Sequence, residues 1–576
     1  MTRLTLLAAL TLTPAILTAQ TVASAPQTGT PVVAVPPTTL PLKHAPKRTT
    51  SDITANDLMT RLYIFADDSM MGREAGTIGN VKGTDYIAAE AKRIGLVPAG
   101  DAGTFFQTIP LKTRSVDPAS TFVVSGAPLT FGTDWAASGT TSLSSGDLQA
   151  VFGGTLGDSS TYISAEKAAG KLVVFKLASQ SFRLVRGATR AVPNAAAVAV
   201  IVPPQFLGFY RRPSTFLDDP SMAGPGATKP TIVLVETAAA KLFPVPLAQL
   251  TTGSVGNSAT VGVTVNVAPV PFPARNVVGI LRGTDAKLKG EFVAIGAHND
   301  HIGVTNRPVD HDSLRIFNHI VRPGGAEDAG NQASAEQQAE VNSELAAWRA
   351  GHPGTARMDS ISNGADDDGS GSVSVLEIAE KLAALKQKPK RSVIFVWHVG
   401  EEKGLLGSAY FTDHPTVPRD SIVAQLNLDM VGRGAPWDVA GLDKDGNVIH
   451  GGPNYVQLVG SRRLSKELGD IVEQVNTDKR YGFVFDYAID ANGHPANIYC
   501  RSDHYEYARY GIPITFFTTG GHSDYHQVSD EPQYIDYQRM ARVANLVGDV
   551  ALRVANLDHR VVVDQPKPDP KGACRQ

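Results

Sequence analysis

Apolar residues fall along this chain in two textures. After Pro273, compact runs of strand length recur at Phe292 to Ala297, Ser392 to Val399, Val423 to Leu428 and Pro513 to Thr518. Uninterrupted runs predict strands buried on both faces, because a strand with one wet face alternates apolar and polar residues. Between the first two runs, Val373, Leu376, Ile378, Ala379, Leu382 and Leu385 recur at helical spacing. Strands alternating with helices predict an α/β fold with a mixed, mainly parallel central sheet and helices on both faces. In such sheets ligands bind beyond the carboxyl ends of the strands, and polar residues cluster there.

Upstream the pattern differs. Leu58, Leu62, Ile64 and Phe65, then Tyr86, Ile87, Ala91 and Ile94, suit two amphipathic helices, the second ending at Gly95. The polar turn Gly72-Arg73-Glu74-Ala75-Gly76 separates them. From about Val116 to Phe272 short Val-rich runs predominate, with strands expected at Lys171 to Lys176, Ala197 to Val202 and Thr231 to Val235 and short helices at Glu166 to Ala169 and Thr237 to Leu242. No histidine occurs there, so 116–272 reads as a non-catalytic β-rich insertion. The expected organisation is an α/β body at 51–115 and 273–555, with that insertion between, a further insertion at 305–363 and a C-terminal tail at 556–576.

The first residues set an expected compartment. Arg3, the apolar stretch Leu4 to Leu17 and the small residues before Gln20 have the form of a secretory signal at 1–19, and the Pro- and Thr-rich 20–50 reads as a flexible linker. No other segment approaches the roughly 18 apolar residues of a membrane span, so the mature protein is expected to be exported, periplasmic or extracellular, with no membrane span. Two cysteines, Cys500 and Cys574, are too few for a disulfide framework, and their pairing is open at this point. A net charge of -3 gives no basic footprint for nucleic acid.

The candidate chemistry lies after the strands. His298 ends the first run, and a carboxylate such as Asp300 can fix its tautomer. Asp366, Asp367 and Asp368 open the helix within Gly364-Ala365-Asp366-Asp367-Asp368-Gly369-Ser370-Gly371, where they also suit simple capping and dipole roles. Glu401 and Glu402 follow the second run, either as a solvated turn or as a pair dividing metal binding and proton transfer. Asp429, inside the apolar stretch Asn427-Leu428-Asp429-Met430, needs a partner or a metal. His526 closes the series in Ser523-Asp524-Tyr525-His526, with His522 its rival. Ser502, Asp503 and His504 are consecutive and cannot form a catalytic triad among themselves, and no GxSxG elbow occurs.

Together the HxDH, GADDDGSG, GEExGLLGS, NLDM and DYHxxxD elements resemble the co-catalytic zinc exopeptidases typified by bacterial leucyl aminopeptidase, aminopeptidase Y and glutamate carboxypeptidase. The inserted module is similar in position to a protease-associated domain. The resemblance implies two zinc ions, one held by His298, Asp429 and a bridging Asp366, the other by His526, Glu402 and the same Asp366. Asp367 would follow Asp366 through a cis peptide, Asp300 and Asp367 would support the ligands from behind, and Glu401 would be the general base. A bridging hydroxide would then balance the site's charge, and Tyr525 would donate to the oxyanion. His301 repeats the HxDH form but reads as a support behind the ligands or a structural residue rather than a ligand, and His398 reads as a core histidine. The implied substrates are peptides or small proteins, cleaved by an aminopeptidase.

Three alternatives accompany that reading. Arg433 or Arg501 could clamp an α-carboxylate, as a carboxypeptidase or dipeptidase requires. A glutaminyl cyclase-like enzyme would use one zinc, and a silent binding protein would have lost ligands. The stretch between His298 and Asp366 is longer than in compact relatives, and its Ala333 to Ala350 part has helical composition, with Leu345, Ala346 and Trp348 available to pack onto the body. A long loop beside an active site suggests a lid.

Overall fold

The computed structural model describes residues 40–179, 182–222, 228–328, 332–352, 354 and 356–576. The expected signal at 1–19 and most of the linker lie outside the described residues. The four apolar runs form adjacent strands. We number β1 (Ala274–Leu281), β2 (Phe292–His298), β3 (Ser392–His398), β4 (Ile422–Leu428), β5 (Tyr455–Val459), β6 (Val484–Asp486) and β7 (Ile514–Thr518). Across the sheet the order is β1-β3-β2-β4-β7-β5-β6. The middle four, β3, β2, β4 and β7, run parallel, while β1 and β5 join them antiparallel. Every residue of β2, β3, β4 and β7 is buried, which is why their sequences are apolar without alternation.

Helices cover both faces. On one side α1 (Ala55–Phe65), α2 (Ile78–Ile94), α3 (Gly371–Ala384) and α4 (Tyr537–Ala555) bury Leu62, Ile87, Leu376 and Val547 against the sheet. Thr54 caps α1 through the Asp57 amide, and Gly95 ends α2 in the left-handed region at φ 88°. Removing one such fully buried side chain, Leu376→Ala for example, costs about 2–5 kcal/mol. The other face is covered around Phe411, Tyr507 and Ala508.

Residues 116–263 build a second sheet over their own apolar core. The expected strands appear at Leu172–Leu177, Ala197–Ile201 and Thr231–Leu234, and the short helices at Ala165–Ala168 and Glu236–Ala240. The module is less purely β than its composition suggests: Leu148–Leu156 and those three strands are parallel, and a helix at Phe182–Ala191 packs on them. The chain enters through Leu111–Val116 and leaves through Val265–Pro269, and these two strands pair antiparallel as a stem. Asp219 of the module contacts His414 of the body.

The excursion after β2 is ordered as well. Strands Val304–Asp310 and Met358–Ile361 pair at its base and carry helices His311–Val321 and Ala335–Gly351. The second helix packs on the first rather than on the body; it buries Val341, half-buries Leu345 and Trp348, and leaves Ala346 exposed. At the other end the tail is held to the body. A disulfide joins Cys500 to Cys574, and the Gln576 side chain donates to the carbonyl of Ile489.

Candidate metal centre

The three consecutive aspartates point in three directions, and the backbone decides which. Gly364, at φ 55°, opens the turn, and a Cβ there would lie 2.2 Å from the carbonyl of Asp367 and 2.5 Å from the His301 ring. The buried Arg73 guanidinium donates to the carbonyls of Asn363 and Gly364 at 2.7 and 2.9 Å, fastening this turn to the N-terminal segment. The Asp530 carboxylate accepts the amides of Asp366 and Asp367 at 3.0 and 3.1 Å. These contacts hold the Asp367 carboxylate between two histidines: Oδ1 lies 3.1 Å from Nε2 of His298, and Oδ2 lies 3.1 Å from Nε2 of His526.

The place between the two histidines, expected for Asp366, is therefore occupied by Asp367. Asp366 Oδ1 instead accepts the Gly432 amide at 2.6 Å, and Oδ2 faces Nε2 of His522 at 3.3 Å, away from the histidine pair. Asp368 accepts the amides of His298, Gly371 and Met430 at 3.0, 2.9 and 3.2 Å. The cis peptide likewise falls one residue later than expected, between Asp367 and Asp368. A run of identical residues hides this offset, because composition alone does not say which carboxylate faces the cleft.

Around Asp367 two groups of donors assemble. Asp429 Oδ1 lies 3.7 Å from His298 Nε2, and the Ser502 hydroxyl fixes its other oxygen at 2.7 Å. Glu402 Oε2 lies 2.8 Å from His526 Nε2, while its Oε1 meets Nδ1 of His301 at 2.8 Å. His301, expected to support the ligands or the structure rather than to be a ligand, stands behind Glu402 in the second group; the HxDH recurrence of His three residues after His298 was the available signal. Asp368 lies near His298 and Asp429, but its oxygens already accept three backbone amides, which leaves Asp367 the better placed of the two to serve that group. His522 contacts Asp366 and stays out of the cluster. His398 bonds the Tyr507 hydroxyl at 2.9 Å and sits beside Asp503 as a buried core histidine. A third set, His311, Asp359 and Glu531, is already served by the cationic Arg357, which contacts His311.

Asp300 works differently from expectation. The Nδ1–H of His298 donates to the main-chain oxygen of Asp300 at 3.0 Å, while its carboxylate is 3.8 Å away. That carboxylate accepts the amides of Gly400 and Glu401 at 2.7 and 3.2 Å and so positions the turn carrying both glutamates. Glu401 Oε2 comes no nearer than 4.0 Å to His298 Nε2. Tyr525 stacks on His526 and lines the cleft. His526 and Met430, which follows Asp429, both occupy the left-handed region, at φ 58° and 59°, a conformation of modest cost that recurs at functional sites.

Adjacent glutamates are driven apart electrostatically. Burial, with Asp429 and Glu402 nearby, pushes the Glu401 carboxyl well above its ordinary range, against the pull of His298. Glu402 is just as buried, but His526 and His301 outweigh burial and hold it down at about 2. Nε2 of His298, Nε2 of His526 and Oδ2 of Asp367 are buried without a hydrogen-bond partner. Lone pairs of imidazole and carboxylate converging without a donor between them fit divalent cations, and mixed N and O donors suit zinc.

Comparison with known proteins agrees with this geometry. Residues 276–551 match the family model for peptidase family M28. A stretch of 100 residues is 36% identical to leupeptin-inactivating enzyme 1 of Streptomyces exfoliatus, covering 16% of this chain and 23% of that protein. Another of 194 residues is 28% identical to leucine aminopeptidase 1 of Trichophyton rubrum, covering 32% and 46%. The chain thus spans less than half the length of these curated relatives. The fold is similar to that of an aminopeptidase from Aneurinibacillus sp. strain AM-1, with a TM-score of 0.50 and 17% identity over 89% of this chain and 97% of that one. Over residues 276–551, slightly less than half of its length, this chain is therefore similar to peptidase family M28.

Proposed function

We propose that this protein is an exported zinc aminopeptidase that removes N-terminal residues from peptides or small proteins. The observation that carries the reading is Asp367, whose two oxygens each lie 3.1 Å from a histidine of a different donor group. His298, Asp429 and Asp367 would hold one zinc; His526, Glu402 and Asp367 would hold the other, with His301 steadying Glu402. When bound, the ions supply Lewis acidity, polarising a carbonyl and making water acidic near neutral pH.

The chain's own groups do the rest. Glu401 makes no hydrogen bond to a histidine of the cluster and its carboxyl is raised by burial, so it suits proton transfer from attacking water to the leaving amine. Tyr525, in the cleft beside His526, can donate to a developing oxyanion. Both arginines that could have clamped a substrate carboxylate have partners: Arg433 lies 3.0 Å from Asp438 and 3.4 Å from Asp524, and Arg501 lies 3.0 Å from Glu327. That pairing favours the aminopeptidase over the carboxypeptidase. The Cys500–Cys574 disulfide supports an oxidising compartment outside the cytosol.

Two measurements test the proposal. Elemental analysis of purified protein should find about two zinc per chain, against one for a cyclase and none for a binding protein. Peptides with a free N-terminus should be cleaved and N-blocked peptides spared; trimming of blocked peptides from the carboxyl end would overturn it.

A further inference from the structure

The excursion after β2 returns to the cleft at the turn Gly325–Asp328, and among the described residues it contributes Ala326 and Glu327 to the wall. That turn is anchored. The Ala326 amide donates to the Gly521 carbonyl at 3.0 Å, on the loop leading to His526, and Gly325, at φ 64°, packs so closely that a Cβ would meet that same carbonyl at 2.0 Å. Glu327 then accepts from Nη1 of Arg501 at 3.0 Å. Arg501 is adjacent to Ser502, the residue that fixes Asp429, and its charge is felt by Tyr525 and Glu401. Both partners of the ion pair are exposed, so the pair stands at the mouth of the cleft. The wall also includes the apolar side chains of Leu442, Ile489, Ile498 and Phe516.

An unopposed guanidinium at such a mouth would recruit carboxylates, since arginine matches their geometry and stays charged. We propose that Glu327 is a specificity-determining residue: by occupying Arg501 it sets the cleft against acidic N-terminal side chains and in favour of uncharged apolar ones. The excursion is then part of the substrate site. This inference rests on the aminopeptidase reading and names which side chains that site selects.

The test uses the full, zinc-loaded protein and aminoacyl p-nitroanilides, which carry no α-carboxylate. For Glu327→Gln, the ratio of kcat/KM on glutamyl to leucyl substrate should rise at least tenfold, mainly through KM on the glutamyl substrate. In the double variant Glu327→Gln/Arg501→Met the gain should vanish. An unchanged ratio in Glu327→Gln, in protein with the parental zinc content and melting temperature, would overturn the proposal. Calorimetric binding of glutamic acid α-amide against leucinamide gives a readout independent of turnover. If the parent cleaves no free-N-terminus substrate, the aminopeptidase reading falls, whereas the two binding ratios still decide the role of Glu327.

Discussion

Asp367 lies between His298 and His526, 3.1 Å from Nε2 of each, and it is the only one of the three consecutive aspartates so placed among the described residues. Asp366 and Asp368, one residue either side, face backbone amides instead. Three chemically identical neighbours therefore have separate consequences when changed.

Asp367→Asn should lose zinc and lower activity by orders of magnitude, because one oxygen of the amide cannot replace a carboxylate shared by two donor groups. Asp366→Asn keeps an oxygen for the Gly432 amide and should retain most of its zinc. Elemental analysis of the two variants after gel filtration checks this; equal zinc loss in both would return Asp366 to the bridge.

Glu401→Gln should keep its metal and its fold while turnover falls by roughly 10²–10⁴, the usual contribution of a positioned acid–base group. Glu402→Gln, one residue on, should instead lose zinc, since Glu402 faces His526 and His301 directly. Paired zinc and kcat measurements separate the two outcomes, and near-normal turnover in Glu401→Gln would remove it from the mechanism.

His504 gives a pH prediction. It is buried, its ring stacked on Phe516 at 4.7 Å, and burial lowers its pKa to about 3. The unfolded chain binds a proton near pH 6.5 that the folded protein refuses, so this contribution is fully present above that value and is lost as pH falls toward 3. At pH 4.5 the loss is about 2–3 kcal/mol. Denaturant unfolding at pH 7 and 4.5 should show a smaller acid penalty in His504→Leu than in the parent; identical pH slopes would count against it.

Cys574→Ser should lower stability by about 2–4 kcal/mol, because the Cys500–Cys574 bond closes a long loop in the unfolded chain. The freed tail should also become sensitive to protease beyond the Arg391 contacts with the carbonyls of Leu557 and His559. Melting curves with and without reductant check it; no effect of reductant on the parent would mean the bond does not form.

Strand-level features are legible in the order of residues alone. Buried parallel strands announce themselves as unbroken apolar runs, and His298, Glu401, Glu402 and Asp429 stand out because polar residues at the ends of such runs have few structural excuses. His301 is less visible: the HxDH spacing marks it, but not that its Nδ1 reaches Glu402, a residue on another strand's turn. Arg73 is invisible for the same reason. Its neighbours make it part of a polar turn, yet it fastens the aspartate turn from 290 residues away.

The amino-acid sequence by itself determined the alternating α/β body, the inserted module and the identity of the donor types, because burial periodicity and residue chemistry are local properties. Tertiary structure alone decided that Asp367 rather than Asp366 faces both histidines, that Cys500 meets Cys574, and that the excursion brings Glu327 to Arg501; it also placed His526 beside Asp367 and turned His522 toward Asp366. Each of these depends on the direction of a side chain relative to a distant backbone, which close packing sets and one-dimensional order does not encode.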